Sequence, residues 1–148
     1  MKSFKIITGE RGEGKTSYIL SHFSSFKGYV TVHKSHEYYL RDLETKEETL
    51  LLLTPYPLFV DKWKGWYINT LAFGKANKKL LSLNNSVVVL DEVGMLEVEN
   101  GGFSDFLFKA TDMDIDLVIS VRREYIDSVV SKFFSSDKPQ IISVGRFP

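Results

Sequence analysis

The chain has 148 residues, 43% hydrophobic and 26% charged, with 19 Lys+Arg set against 19 Asp+Glu and no cysteine. Such a chain is long enough for one core-bearing domain, expected to span 1–148. Its even charge argues against a bulk basic footprint for nucleic acid. The lack of cysteine excludes disulfides and thiolate metal sites. No stretch approaches the ~20 apolar residues of a membrane span, and the start "MKSFKIITGERG" carries no secretory apolar region, so a cytoplasmic protein is expected.

In chain order, Phe4 to Thr8 is a short apolar run that stops at Gly9, as a buried strand does. From Lys15, "KTSYILSHFSSF" places Tyr18, Ile19, Phe23 and Phe26 on one helical stripe, and Lys27-Gly28 reads as the helix end. Tyr29 to His33 is a second strand. Two runs, Tyr38 to Leu43 and Thr49 to Thr54, flank the polar "ETKEE" as a β-hairpin. The stretch "YPLFVDKWKGWYI" is aromatic and irregular. Asn69 to Leu83 reads as a helix that buries Leu71, Ala72, Phe73, Ala76, Leu80 and Leu81, with "NKK" at Asn77 to Lys79 on its solvated face. "VVVL" at Val87 to Leu90 suits a central strand covered on both faces. A short helix over Phe103 to Thr111, a buried strand over Asp116 to Val121, a helix over Glu124 to Phe134 and a last strand "QIISVG" complete the chain. Strands alternating with helices predict an α/β layered domain with a largely parallel sheet.

Gly9, Gly14, Lys15 and Thr16 satisfy G-x-x-x-x-G-K-[ST], with a strand before and a helix after. Phosphate oxygens must come close to backbone N–H groups, and a Cβ would obstruct them. The helix N-terminus adds free donors and a positive dipole end. Gly9, Glu10, Arg11, Gly12, Glu13, Gly14, Lys15, Thr16 and Ser17 are thus expected to hold a phosphate chain. Lys15 would reach the β- and γ-phosphates, and the Thr16 hydroxyl would ligate Mg²⁺.

The apolar run ending in Asp91 puts a carboxylate at the sheet's C-terminal edge, a second expected Mg²⁺ ligand. Glu92 follows; a strand period of two turns it away from Asp91, towards an attacking water that it could deprotonate. Arg122 and Arg123 follow another apolar strand, so either could act on charge developing at the γ-phosphate. Gly94, Gly101 and Gly102 bracket "MLEVEN", read either as a mobile loop with Glu97 as a secondary acid or as plain turns. Tyr56, Phe59, Trp63, Trp66 and Tyr67 either stack a base or cover the core.

"TGERGEGKTS", "VVVLDEVGMLEVENGGF" and "LVISVRREYIDSVV" together resemble the small nucleoside-triphosphatase family first described from thermophiles, P-loop NTPases with a catalytic glutamate after the Walker-B aspartate. "GYVTV...YYLRDLETKEETLLLL" resembles that family's hairpin insert. The resemblance implies a three-layer P-loop domain with a β-hairpin insert, and slow Mg²⁺-dependent hydrolysis of nucleoside triphosphates with weak base selectivity. It gives Gly9 to Thr16 to the phosphates, Asp91 to the metal and Glu92 to the base role, and a basic residue at Arg122 or Arg123. Ser17 stands where a second threonine is common. A nucleoside triphosphate is the expected partner, with neither nucleic acid nor membrane. Alternatives are a nucleotide or small-molecule kinase, which needs an acceptor pocket, and a non-catalytic NTP-binding switch.

Overall fold

β1 (Ser3–Gly9) shows how the sheet divides its two faces. Phe4 and Ile6 point into one apolar cluster and Ile7 into another. The computed structural model describes residues 1–10, 12–23, 25–35, 37–53, 61–63 and 66–145. The same alternation recurs in β7 (Ser86–Leu90), where Val88 and Leu90 join the first cluster and Val89 the second. In β8 (Ile115–Arg122), Leu117 and Ile119 face one way and Val118 the other. A run apolar on both faces is what a strand covered on both sides requires.

The other elements are α1 (Lys15–Phe23), β2 (Lys27–Lys34), β3 (Glu37–Asp42), β4 (Glu48–Leu53), β5 (Asp61–Trp63), β6 (Trp66–Ile68), α2 (Thr70–Leu81), α3 (Met95–Val98), α4 (Ser104–Ala110), α5 (Ile126–Phe133) and β9 (Gln140–Ser143). The strands form one sheet in the order β5-β6-β4-β3-β2-β7-β8-β1-β9. From β2 to β9 every pairing is parallel. From β2 to β5 every pairing is antiparallel. The fold is therefore α/β, with a parallel core extended at one side by a hairpin and two short strands. Ile19 of α1 packs on the Val89 face, while α2, α4 and α5 cover the other with Phe73, Phe106, Leu107, Val129 and Phe133.

Several sequence expectations need correction. α1 stops at Phe23, and Lys27-Gly28 belong to β2 rather than to the helix end. Gly28 sits at φ 125° opposite Val89, and a Cβ there would lie 2.7 Å from the Val89 nitrogen. The glycine marks close strand approach, not a helix stop. Leu71 is 65% exposed and Leu81 37% exposed; both flank the buried stripe of Ala72, Phe73, Ala76 and Leu80. The stretch read as irregular contributes β5 and β6. Tyr56 and Phe59 lie outside the described residues.

Asn77, expected on a solvated face, is buried. Its amide donates to the carbonyls of Phe73 and Gly102, both at 2.9 Å, and its Oδ1 accepts the Phe106 N–H at 3.0 Å. Its neighbour Lys79 pairs with Asp42 at 2.6 Å, tying α2 to the hairpin turn. α2 starts at an Asn69 cap that accepts the Ala72 N–H at 3.1 Å and donates to the Leu50 carbonyl at 2.9 Å.

Candidate functional site

The loop between β1 and α1 turns on two glycines in left-handed conformations, Gly12 at φ 80° and Gly14 at φ 92°. A Cβ built at either meets nothing within 4 Å. The space over both is open, so the glycines serve the turn and leave room for a ligand. A recess of about 270 Å³ lies there, lined by Gly12, Gly14, Lys15, Thr16, Ser17 and Glu92. Lys15 opens α1 and is only 4% exposed. Its ammonium donates to the carbonyls of Gly9 at 3.2 Å and Glu10 at 2.8 Å, which keeps it over the loop. Arg11 lies outside the described residues.

β7 delivers the opposing acid. Thr16 Oγ1 donates to Asp91 Oδ2 at 2.7 Å, across 75 positions of sequence. Asp91 is 1% exposed. Burial pushes its carboxyl above the usual range, and hydrogen bonds from Ser120, Thr16 and the backbone work against that rise. Ser120 Oγ donates to Asp91 Oδ1 at 2.5 Å and accepts the Glu92 N–H at 2.7 Å. A hydroxyl beside a buried carboxylate gives two hard oxygen donors, Thr16 and Asp91. That set fits magnesium, which takes few protein ligands and completes its shell with phosphate and water.

Glu92 does not follow the strand period. β7 ends at Leu90, and Glu92 sits at φ 60° in a left-handed turn. Such a conformation is costly for a non-glycine residue. The Ser120 Oγ bond to Glu92 N and the Val93 N–H bond to the Ser120 carbonyl at 3.0 Å hold it. The exposed Glu92 side chain borders both the small recess and a larger chamber of about 740 Å³.

The two arginines part company. Arg122, opposite Gly9 in the β1–β8 register, lines the large chamber together with Asp91 and Glu92. Arg123 instead pairs with Glu13 at 3.0 Å and Glu10 at 3.4 Å, and its second nitrogen donates to the Val144 carbonyl at 3.4 Å. It ties the β1–α1 loop, through both glutamates, to the end of β8.

Glu97 is 2% exposed. Its Oε1 accepts the Gly94 N–H at 2.8 Å and its Oε2 accepts the Phe103 N–H at 3.1 Å. Burial pushes its carboxyl up to about 7 despite these bonds. Glu97 therefore staples the 94–103 segment and does not project as an acid from it.

Ser120 and Asn77 are supporting residues that no sequence motif marks. A lone serine inside the apolar "LVISV", two residues before the arginines, was the available signal for Ser120. Asn77 shows none, because its partners Gly102 and Phe106 are distant in sequence.

No protein-family model matches the chain, and no curated protein matches it. Solved structures do. A human cancer-related nucleoside triphosphatase superposes with a TM-score of 0.70 at 18% identity, covering 97% of this chain and 89% of that one. THEP1 from the hyperthermophile Aquifex aeolicus superposes at 0.67 and 15% identity, covering 95% and 89%. The chain thus shares the fold of these two proteins over nearly its whole length.

Proposed function

We propose that this chain, folded as small P-loop NTPases are, hydrolyses nucleoside 5'-triphosphates to the diphosphate and phosphate with Mg²⁺. The observation that carries the proposal is the 2.7 Å contact of Thr16 Oγ1 with Asp91, which joins the phosphate loop to the acidic strand end beside Glu92. The amides of Gly9 to Ser17 and the Lys15 ammonium bind the phosphates. Thr16 and Asp91 would hold Mg²⁺, which when bound would supply neutralisation of the phosphate charge. Glu92, bordering the recess at its γ end, orients a water and takes its proton. Arg122 faces the same space and stabilises charge on the γ-phosphoryl oxygens, while Arg123 positions the loop. A cytoplasmic setting belongs to this reading; among the described residues no helix is long and apolar enough to cross a membrane.

The test is phosphate release from ATP, GTP, CTP and UTP, with and without Mg²⁺, in the native chain and in Glu92→Gln. Glu92→Gln keeps size and reach but loses the base. ATP binding by calorimetry should survive, and single-turnover release should fall by about two to four orders of magnitude. Release unchanged by the substitution removes Glu92 as the base, and release unchanged by EDTA removes the metal.

A further inference from the structure

The large chamber has a structural cause in the hairpin. β7 ends at Leu90 opposite Tyr29, but β2 continues through Lys34. Those five further residues carry the β2–β3 ladder roughly 16 Å beyond the carboxyl edge of the parallel sheet. The hairpin therefore stands as a wall above Asp91. Thr31, Val32, His33, Tyr38 and Arg41 line it on that side. Phe73, Leu96, Phe103 and Tyr125 also line the chamber. Its space, about 740 Å³, is far larger than the recess over the loop glycines.

This chamber lies on the wrong side to hold the triphosphate's own nucleoside. In a P-loop the α- and β-phosphates lie along the loop amides, and the γ-phosphate lies at the lysine and the metal-binding pair. Here Gly12, Thr16 and Glu92 line both recess and chamber, and Asp91, the partner of Thr16, lines the chamber alone. The chamber thus begins where the phosphate chain ends.

We propose that the chamber is an acceptor site, which binds a neutral, hydroxyl-bearing nucleoside and presents its hydroxyl to the γ-phosphoryl group. The inference rests on the proposed function, because it needs the γ-phosphate at Glu92. The volume lies in the range of small-molecule sites, and the lining is more apolar than polar, with several polar and charged side chains among it. His33 and Tyr38 already stack at 4.5 Å and 12°, a surface suited to a planar ring. Charge selects a neutral occupant. The Arg41 guanidinium is committed to Glu48 at 2.6 Å. Asp91, Glu92 and Arg122 surround the mouth, and the γ-phosphate itself engages Arg122. A second phosphate there would add its negative charge to a space already lined by Asp91, Glu92 and Glu97.

The step balances. The acceptor O–H gives its proton to the Glu92 carboxylate, and its oxygen bonds to the γ-phosphorus. The bridging bond from phosphorus to the β-phosphate oxygen breaks, leaving its electron pair on the departing diphosphate. The products are a nucleoside phosphate ester and a nucleoside diphosphate. With the chamber empty, water takes the acceptor's place at the same carboxylate.

The experiment uses the full chain with Mg²⁺ and γ-labelled ATP, adding adenosine, guanosine, cytidine or uridine in turn. The expected result is labelled nucleoside monophosphate with at least one of them, at about tenfold over the sample without nucleoside, together with reduced phosphate release. Calorimetry should show that nucleoside binding persists when a slowly hydrolysed ATP analogue is already bound. His33→Trp, on an exposed position that should fold normally, narrows the chamber and should lower the ratio of ester to free phosphate. If ATP is hydrolysed but no nucleoside yields ester, the acceptor site is refuted and the hydrolase reading stands. Nucleoside binding that competes with the ATP analogue overturns the inference, since it puts the substrate's own nucleoside in the chamber. An unchanged product ratio in His33→Trp also overturns it. Absence of both hydrolysis and ATP binding refutes the hydrolase reading first.

Discussion

Ser120 bridges the two carboxyl-bearing residues of the site: its hydroxyl donates to Asp91 at 2.5 Å and accepts the backbone N–H of Glu92 at 2.7 Å. One side chain on β8 thus orients the Asp91 carboxylate and stabilises the left-handed turn at Glu92. Ser120→Ala should leave Asp91 with one hydrogen bond fewer and Glu92 N without its acceptor. Losing such a supporting partner typically costs 10- to 100-fold in metal affinity or activity. We expect the Mg²⁺ concentration for half-maximal turnover to rise about tenfold or more, with the fold retained by circular dichroism. An unchanged Mg²⁺ titration would show that Ser120 is packing only.

Arg122→Ala and Arg123→Ala should fail in different ways. Arg122 faces the chamber, so its loss should lower kcat by about 10²- to 10³-fold with little change in KM, as for a donor used in the transition state. Arg123 pairs with Glu10 and Glu13 of the β1–α1 loop. Its removal leaves two carboxylates near the triphosphate, so KM should rise, most strongly at low ionic strength where charge is least screened. Identical kinetic signatures would contradict the division of labour.

Glu97 should give the protein a pH-dependent stability. Its carboxyl is raised from an ordinary value of 4.5 to about 7 by burial. The folded state therefore prefers the protonated form, and the unfolded chain releases the proton first. Below about 4.5 both states are protonated and this group costs nothing. As pH rises from about 4.5 to 7 the stability declines, reaching a loss on the order of 3 kcal/mol from this group, and then levels off. Glu97→Gln should flatten urea midpoints over that window. Equal slopes for both proteins between pH 5 and 7 would place the titration elsewhere.

Asn77→Ala tests the support beneath the same segment. The substitution strands the Phe106 N–H and the Gly102 carbonyl in a buried setting. Leaving a buried polar group unpaired costs about 1–3 kcal/mol, and the urea midpoint should fall accordingly. A shift below about 0.5 kcal/mol, the size of an ordinary surface substitution, would mean that Asn77 tolerates exposure after all.

The sequence by itself determined what depends on local chemistry. Gly12, Gly14, Lys15 and Thr16 specify a left-handed turn, a charge and a hydroxyl within a few residues, so the loop they build is legible without neighbours. The apolar runs of β1, β7 and β8 and the strand–helix alternation likewise announced a buried parallel sheet. Tertiary structure decided whatever depends on partners distant in the chain. Gly28 read as a helix stop until Val89 was beside it. Asn77 read as a solvated residue until Gly102 and Phe106 arrived to pair with it. Arg122 and Arg123 are adjacent and chemically identical, and only the positions of Glu10, Glu13 and Val144 tell them apart. Glu92 departs from the strand period because Ser120, 28 positions away, holds its backbone in a turn. Each of these outcomes turns on a hydrogen bond, ion pair or close approach between residues far apart in the chain. Local pattern encodes propensity and facing, whereas a long-range partner exists only once the sheet has set the register.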